Sequence, residues 1–323
     1  MVGLMKKHYY GLDFGKIIAA ILVVSIHTVP LVKYRGTWIY KLWDIVSSLA
    51  VPFFFVCTGF FIGMKLKKDG VELLKKRAIS FAKIYLLLTI CYLPLTIYKY
   101  VIDGESLIKN LLYFFRGLIL YGNHGWSWQL WYLLCASYSL FLLYFLYKKE
   151  KYIWFITIIL FIIGTFLTVR PNIESIIPEM DLFYKVHKMI FWNGRMLLGP
   201  VYIWMGIKFN DLKTPRKSVG LIALLICFVL CVFGDDIIWK NMLLIMVFLL
   251  FSILVSFEGG DAFGKLHFRQ ASSYIYYIHM YFVFLAQSVF RLNEPRSFLF
   301  VAIASVIASY GYIFIRNLIE MRA

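Results

Sequence analysis

The chain has 323 residues, of which 62% are hydrophobic and only 16% are charged, and its formal net charge is +17. A soluble domain typically carries about 25% charged residues, so this composition excludes an ordinary soluble globular protein. The lipid bilayer is the solvent that suits so much apolar surface. In that setting the basic excess indicates cytoplasmic loops and contact with anionic lipid, and the sequence lacks the aromatic-basic pattern typical of nucleic-acid binding.

Apolar runs long enough to cross a bilayer as helices recur along the whole chain. We count about ten, at residues 14–32, 43–64, 81–101, 128–147, 152–169, 189–207, 218–234, 238–256, 271–290 and 297–315. The sequence therefore predicts an all-α, polytopic integral membrane protein with a single membrane-embedded domain over residues 1–323. The first run follows Lys6 and Lys7, as a signal sequence would, but a small-residue cleavage site is missing, so we expect a retained span.

Basic residues set the expected orientation. They are more numerous in the segments that are cytoplasmic when the N-terminus is inside, above all between the second and third runs, which predicts that both termini are cytoplasmic. Two long segments, 102–127 and 170–188, then face outward, where loops on a helical scaffold would recognise an acceptor. We expect a multi-pass protein of a bacterial plasma membrane. The five cysteines lie in apolar stretches and predict neither a disulfide framework nor a metal site.

The first span carries the clearest chemical pattern. Lys16 and His27 are eleven residues apart, which places them on one helix stripe about 16 Å apart along the axis. Asp13 lies one turn before Lys16 on nearly the same face. A histidine at this depth suits proton removal from an alcohol. The alternatives are a structural hydrogen bond to a neighbouring helix, a proton relay or a role in transport.

A basic segment between the second and third spans is the next candidate site. Lys76, Arg77 and Lys83 could hold the phosphates of a cytoplasmic ligand. The alternative is a stop-transfer anchor, in which the same residues only fix the orientation of the span.

Four further residues could contact a substrate inside or near the membrane. Trp131 belongs to an aromatic cluster that is typical either of an interface belt or of a cavity lining. Arg195 requires a partner or water at its predicted depth, and Asn193 lies beside it in sequence. His279 lies well inside the ninth run, where a structural role is the alternative to substrate contact.

These residues, taken in order, resemble the integral-membrane acyltransferase-3 family. The first span matches its pattern L-D-x-x-R-x-x-A with a later histidine, at Leu12-Asp13-Phe14-Gly15-Lys16-Ile17-Ile18-Ala19 and His27. The second span matches V-P-x-F-F-x-x-S-G-[FY] at Val51-Pro52-Phe53-Phe54-Phe55-Val56-Cys57-Thr58-Gly59-Phe60. Later matches are the basic segment 76–85, Gln129-Leu130-Trp131-Tyr132-Leu133 and Tyr277-Ile278-His279. The ten-span count agrees as well, so the resemblance covers nearly the whole chain.

The resemblance implies a membrane O-acyltransferase. Its donor would be acyl-coenzyme A, by analogy acetyl-coenzyme A, without a metal, and its acceptor a hydroxyl on an extracytoplasmic molecule such as an envelope sugar. His27 would be the base or an acyl relay. Lys16, Lys76, Arg77 and Lys83 would contact the donor. The acceptor side would include Asn193, Arg195, His279 and Trp131. Membrane lipid is the other expected partner, and a homo-oligomer is compatible with the sequence.

Three positions differ from the family pattern, and one sub-pattern points elsewhere. Lys16 replaces an arginine and keeps its charge without the bidentate fork, Gln129 replaces a histidine, and Thr58 replaces a serine. The segments His27-Thr28-Val29-Pro30, Val51-Pro52-Phe53-Phe54-Phe55 and Asn193-Gly194 are similar to the membrane domain of vancomycin-resistance serine racemases. That similarity implies the alternative function, a membrane transporter or binding module for a small amino acid such as serine.

Overall fold

The computed structural model describes residues 8–169, 179–191, 193–212, 215–257 and 266–322. Within them the elements are helical, and no strand occurs. The α-helices are α1 Tyr10–Thr28, α2 Trp38–Ser48, α3 Ala50–Asp69, α4 Glu72–Asp103, α5 Leu107–Arg116, α6 Trp131–Leu146, α7 Glu150–Val169, α8 Glu179–Phe191, α9 Gly199–Ile207, α10 Lys217–Phe233, α11 Asp236–Val255, α12 Phe268–Phe284 and α13 Glu294–Arg322. The all-α prediction is therefore confirmed over the described part of the chain.

Six segments of the described chain are long and apolar enough to cross a membrane. They are Tyr10–Thr28, Trp38–Asp69, Glu72–Asp103, Trp128–Val169, Asp236–Val255 and Glu294–Met321. The segment Trp128–Val169 contains both α6 and α7, with a 3₁₀ turn at Tyr147–Lys149 between them. The helix α10 is apolar but shorter. A membrane protein is thus supported, while the count of about ten spans and the cytoplasmic termini stay predictions.

The predicted span at 189–207 is not one continuous helix. The helix α8 ends at Phe191, a 3₁₀ turn covers Arg195–Leu197, and α9 begins at Gly199 and has only nine residues. Pro200 at the start of α9 lacks an N–H, which favours a helix beginning there over one passing through. The run is apolar, as predicted, but the prediction of one continuous helix is wrong.

The two predicted outer loops have different outcomes. The segment 102–127 is partly helical, with α5 followed by a π-helical turn at Gly117–Tyr121. Of the segment 170–188, residues 170–178 lie outside the described part of the chain, and α8 covers the remainder.

The described residues divide into two compact units. The first comprises Met1–Phe54, Lys213–Phe233 and Ile245–Ala323, and the second comprises Phe55–Leu212 and Gly234–Leu244. In the first unit α1 packs against α12 and α13, and α12 also packs against α13. In the second unit α4 packs along α6, while α9 contacts both α6 and α7.

Glycines allow the close approach of α3 to α9 inside the second unit. A Cβ atom at Gly59 would overlap the carbonyl oxygen of Ile203, and one at Gly206 would overlap that of Val56. Small residues at such contacts let two membrane helices pack backbone to backbone. On α3 the contact extends to Gly63, four residues after Gly59, where a Cβ atom would overlap the carbonyl oxygen of Ile207.

We expect Gly59→Ala to destabilise the protein by about 1–3 kcal/mol, because the added methyl group forces α3 and α9 apart. The measurement is thermal unfolding of the purified protein in detergent. Gly311→Ala is the matched control, since a Cβ atom at Gly311 in α13 meets nothing within 4 Å. Equal melting temperatures for the two variants would contradict the close α3–α9 contact.

Candidate functional site

His27 and His279 face each other inside the first unit. His27 lies in the last turn of α1, His279 lies in α12, and their ring centroids are 5.3 Å apart. The helix α1 ends at Thr28. The next residue, Val29, takes a left-handed conformation with φ 45° and donates its N–H to the carbonyl oxygen of Ser25. The side chain of His27 therefore points to a neighbouring helix of the protein and is partly buried.

The hydrogen bond of His279 fixes which ring nitrogen is the acceptor. Its Nδ1 atom lies 2.9 Å from the carbonyl oxygen of Ile275. A carbonyl oxygen only accepts, so Nδ1 carries the proton and Nε2 of the neutral ring presents a lone pair. Nε2 is buried and has no hydrogen-bond partner among the described residues. Nε2 of His279 can therefore accept a hydrogen bond from an N–H or O–H group beside His27.

Gln287 also contacts the end of α1. It lies in a π-helical turn, Leu285–Val289, that continues α12, and its Nε2 atom donates to the carbonyl oxygen of His27 at 3.4 Å. Sequence reasoning missed this residue. The available signal was an amide side chain inside an otherwise apolar run, which requires a partner in a membrane.

A charged cluster lies near the beginning of α1. Asp13 is 4.0 Å from Lys16, as their predicted shared face requires. Arg269 at the start of α12 binds the same carboxylate through two donors of its guanidinium, Nε to Oδ1 at 2.9 Å and Nη2 to Oδ2 at 3.1 Å. Asp13 therefore has two cationic neighbours, one from each helix. Arg269 was not predicted, because 256 residues separate it from Asp13.

The helix α1 joins this charged cluster to the histidine pair. Lys16 and His27 lie on one uninterrupted helix, Tyr10–Thr28, so the predicted spacing of about 16 Å along its axis applies. Buried small residues, Gly11, Gly15 and Ala19, line the packed face of its first half.

The predicted donor-binding cations of the second unit lie along α4. Lys76, Arg77 and Lys83 are all exposed. Lys76 and Lys83 are seven residues apart and share a face two turns apart. The neighbouring Lys75 lies over the ring of Tyr144 at 5.9 Å.

Three of the four predicted acceptor-side residues meet in the second unit. The guanidinium carbon of Arg195 lies 4.8 Å from the ring centroid of Trp131, as in a cation–π contact. The side-chain oxygen of Asn193 accepts the backbone N–H of Arg195 at 3.1 Å and shapes the turn between α8 and α9. The fourth residue, His279, instead lies beside His27 in the first unit.

Two of the motifs that carry the family resemblance also touch. Thr58 and Tyr132 share a hydrogen bond of 2.9 Å between their hydroxyl oxygens. The ring of Phe55 packs on that of Tyr132 with centroids 4.6 Å apart and on that of Trp131 at 6.1 Å. Threonine in place of the family serine keeps a hydroxyl for this bond, so the departure at Thr58 preserves the contact.

His124 is a buried histidine that sequence reasoning did not select, although it lies in the predicted outer segment 102–127. Its Nδ1 atom is 2.7 Å from the hydroxyl oxygen of Ser127, and its ring packs against Phe114 and Tyr85. Burial lowers the pKa of His124 to about 4. The ring is therefore neutral at physiological pH.

Comparisons with known proteins identify the family of the chain. Residues 9–314 match the acyltransferase domain of the acyltransferase-3 family, so the chain belongs to that family. It is, by class, a membrane protein of an acyltransferase family, and this match supports an acyltransferase enzyme. No solved structure matches it.

Curated relatives come from enterococci. The chain is 26% identical over 277 residues to an amino-acid racemase of Enterococcus faecalis, covering 80% of this chain and 37% of that protein. A second amino-acid racemase of the same species is 26% identical over 242 residues, covering 68% and 32%. A serine/alanine racemase of Enterococcus gallinarum is 32% identical over 134 residues, covering 38% and 17%. The chain thus spans about a third or less of the length of these relatives.

We expect the stability of the protein to fall on acidification through His124. Its folded-state pKa of about 4 lies below the value of about 6.5 in an unfolded chain, so the unfolded state binds more protons between these values. The stabilisation is complete above pH 6.5 and is lost as the pH falls toward 4. Between pH 7 and pH 5 the loss is about 2 kcal/mol.

The measurement compares unfolding of the wild-type protein and His124→Gln in detergent across this pH range. The variant should lose this part of the pH dependence, while His8→Gln, which changes an exposed side chain, should retain it. Parallel pH profiles for the wild-type protein and His124→Gln would contradict the assignment.

Proposed function

We propose that this protein is a membrane O-acyltransferase that moves an acyl group, by preference acetyl, from cytoplasmic acyl-coenzyme A to a hydroxyl of an extracytoplasmic acceptor such as an envelope sugar. The observation that carries the proposal is the facing pair His27 of α1 and His279 of α12. The first turns of the same two helices bring together Asp13, Lys16 and Arg269. The family match supports the reaction class.

The proposed chemistry needs one base and a polarised thioester. His27 removes the proton of the acceptor hydroxyl while its oxygen attacks the thioester carbonyl carbon. The tetrahedral intermediate then expels the coenzyme A thiolate, which takes the proton back from His27. His279, through its Nε2 lone pair, accepts a hydrogen bond on the acceptor side. In the alternative course His27 carries the acyl group itself and transfers it in a second step.

Donor binding is assigned to cations. A coenzyme A molecule is rich in phosphate, and exposed lysine and arginine side chains bind phosphate by charge and hydrogen bonding. We assign Lys76, Arg77 and Lys83 of α4 to these phosphates, and Lys16 of α1 to the donor as well. The support is the exposure of the three α4 cations and the position of Lys16 and Arg269 beside Asp13 at the beginning of α1.

We assign acceptor binding to Arg195, in the turn between α8 and α9, and to its neighbours. Trp131, Asn193 and Arg195 offer an aromatic face, an amide and a guanidinium within one compact arrangement, which is a common lining for sugars and other polar ligands. The enterococcal relatives and the apolar helices support a location in a bacterial plasma membrane.

A second candidate function rests on the names of the relatives. Proteins called amino-acid racemase and serine/alanine racemase share this membrane region with the chain. A module that binds or transports serine is therefore the competing proposal.

One experiment separates the two functions. Purified protein in liposomes receives labelled acetyl-coenzyme A with an extracted envelope fraction, and in parallel labelled serine. We expect label in the envelope acceptor and no serine accumulation. Serine accumulation without acyl transfer or thioester hydrolysis would replace the enzyme with the transporter.

His27→Ala and His27→Gln should both reduce acyl transfer by about 10²–10⁴-fold, because neither side chain can act as a base. The measurement is the rate of label transfer at saturating donor. His8→Gln, at an exposed position, is the control and should keep the wild-type rate. A near-normal rate for His27→Gln would show that His27 is not the base.

Lys16→Arg should leave the donor KM nearly unchanged, whereas Lys16→Glu should raise it, since the first keeps the positive charge and the second reverses it next to Asp13. Initial rates over a range of acetyl-coenzyme A concentrations test this. Lys33→Glu reverses an exposed charge outside α1 and serves as the control. Equal KM values for all the Lys16 proteins would remove Lys16 from the donor site.

A further inference from the structure

Two arginines of the described chain contact a partner through one edge of the guanidinium, formed by Nε and Nη2. Arg269 places these two atoms on the two carboxylate oxygens of Asp13, at 2.9 and 3.1 Å. Arg116 places the same two atoms on the hydroxyl oxygen of Tyr121, at 3.3 and 3.0 Å. The edge presents two parallel N–H donors, which match the two oxygens of a carboxylate.

At Arg195 the same edge is buried without such a partner. Its Nε and Nη2 atoms are closed to solvent, and neither has a hydrogen-bond partner among the described residues. One face of the guanidinium is covered by Trp131 at 4.8 Å. Buried donors without partners are costly, more so when the group is charged, so the edge calls for an acceptor that the described chain does not supply.

Among the residues that the structure describes, no carboxylate is paired with Arg195. The ionisable groups that act on it are Cys135 and Tyr121. The side-chain oxygen of Asn193 accepts the backbone N–H of Arg195, and Asn193 forms no hydrogen bond with Nε or Nη2 of the guanidinium. A ligand with a single negative charge and two coplanar oxygens would satisfy both the charge and the geometry.

We propose that Arg195 holds a carboxylate of the acceptor by this edge, so that the acceptor is a molecule with both a carboxylate and a hydroxyl. Hydroxy amino acids and acidic sugars are the chemical classes that meet this description. The inference rests on the acceptor-side role of Arg195 in the proposed function. A carboxylate suits the site better than a phosphate monoester, whose second negative charge would stay uncompensated in a buried place.

The test uses pairs of probes in which a CH₂OH group replaces the carboxylate, namely D-glucuronate with D-glucose and L-serine with serinol. Equilibrium binding of each labelled probe to the purified protein is measured in detergent without acyl donor. We expect the carboxylate member of at least one pair to bind at least tenfold more tightly than its alcohol. This corresponds to one charge-assisted bidentate contact.

Variants then test whether the preference for the carboxylate depends on Arg195. Arg195→Lys keeps the charge but loses the fork, and should reduce the preference to less than threefold. Arg316→Lys, which changes an exposed arginine paired with Glu320, is the matched control and should keep the full preference. Asn193→Asp retains an acceptor for the Arg195 N–H and adds a competing negative charge, so it should also weaken the preference, even if Arg195→Lys does not fold.

Three results would overturn the inference. They are the lack of any carboxylate preference in the wild-type protein, including no binding at all; a preference that survives in both Arg195→Lys and Asn193→Asp; and binding of glucose 6-phosphate but not glucuronate. Because no acyl donor is present, each of these results leaves the acyl-transfer assay to decide the proposed function separately. Carboxylate binding with no acyl transfer would retain the carboxylate site at Arg195 but overturn its role in holding an acceptor.

Discussion

In hydrocarbon, each backbone N–H or C=O without a partner costs several kcal/mol, and this constraint shapes the described chain. Long helices satisfy their own backbone, and small hydroxyl side chains return to it, as Thr28 does at the carbonyl of Val24 and Ser252 at that of Phe248. Where a helix breaks, between α8 and α9, the side chain of Asn193 caps the exposed N–H. The candidate binding residues Asn193 and Arg195 lie at this break.

Charge is accommodated in three different ways in the same molecule. Asp13 is neutralised by direct ion pairs with two cations. The guanidinium of Arg195 lies over the face of Trp131 in a cation–π contact. The α4 cations simply remain exposed. These solutions differ in what they leave available, since an ion pair consumes its donors, a ring contact leaves the guanidinium edge open, and an exposed side chain is free to exchange partners.

Helical periodicity predicted what lies within one helix, and little of what lies between helices. The shared face of Asp13 and Lys16 followed from the 3.6-residue repeat, and the structure has them 4.0 Å apart. The contact of Arg269 with Asp13 could not follow, because no repeat relates α1 to α12. Hydropathy averages over a window and therefore predicts one span over 189–207. It does not detect Gly194, Gly199 and Pro200, single residues at which the helix is interrupted and begins again. The pairing of His27 with His279 came from the tertiary packing of α1 on α12. The roles assigned to the site residues remain predictions.

The end of α1 carries a conformational cost beside the proposed base. Val29 has φ 45°, and a β-branched residue in the left-handed region is an outlier, because its Cβ crowds the following carbonyl by roughly 1–2 kcal/mol. Glycine would remove that crowding, yet it would also loosen the direction in which the chain leaves the helix. The arrangement therefore trades a little folding free energy for a defined direction in which the chain leaves α1, two residues after the proposed base.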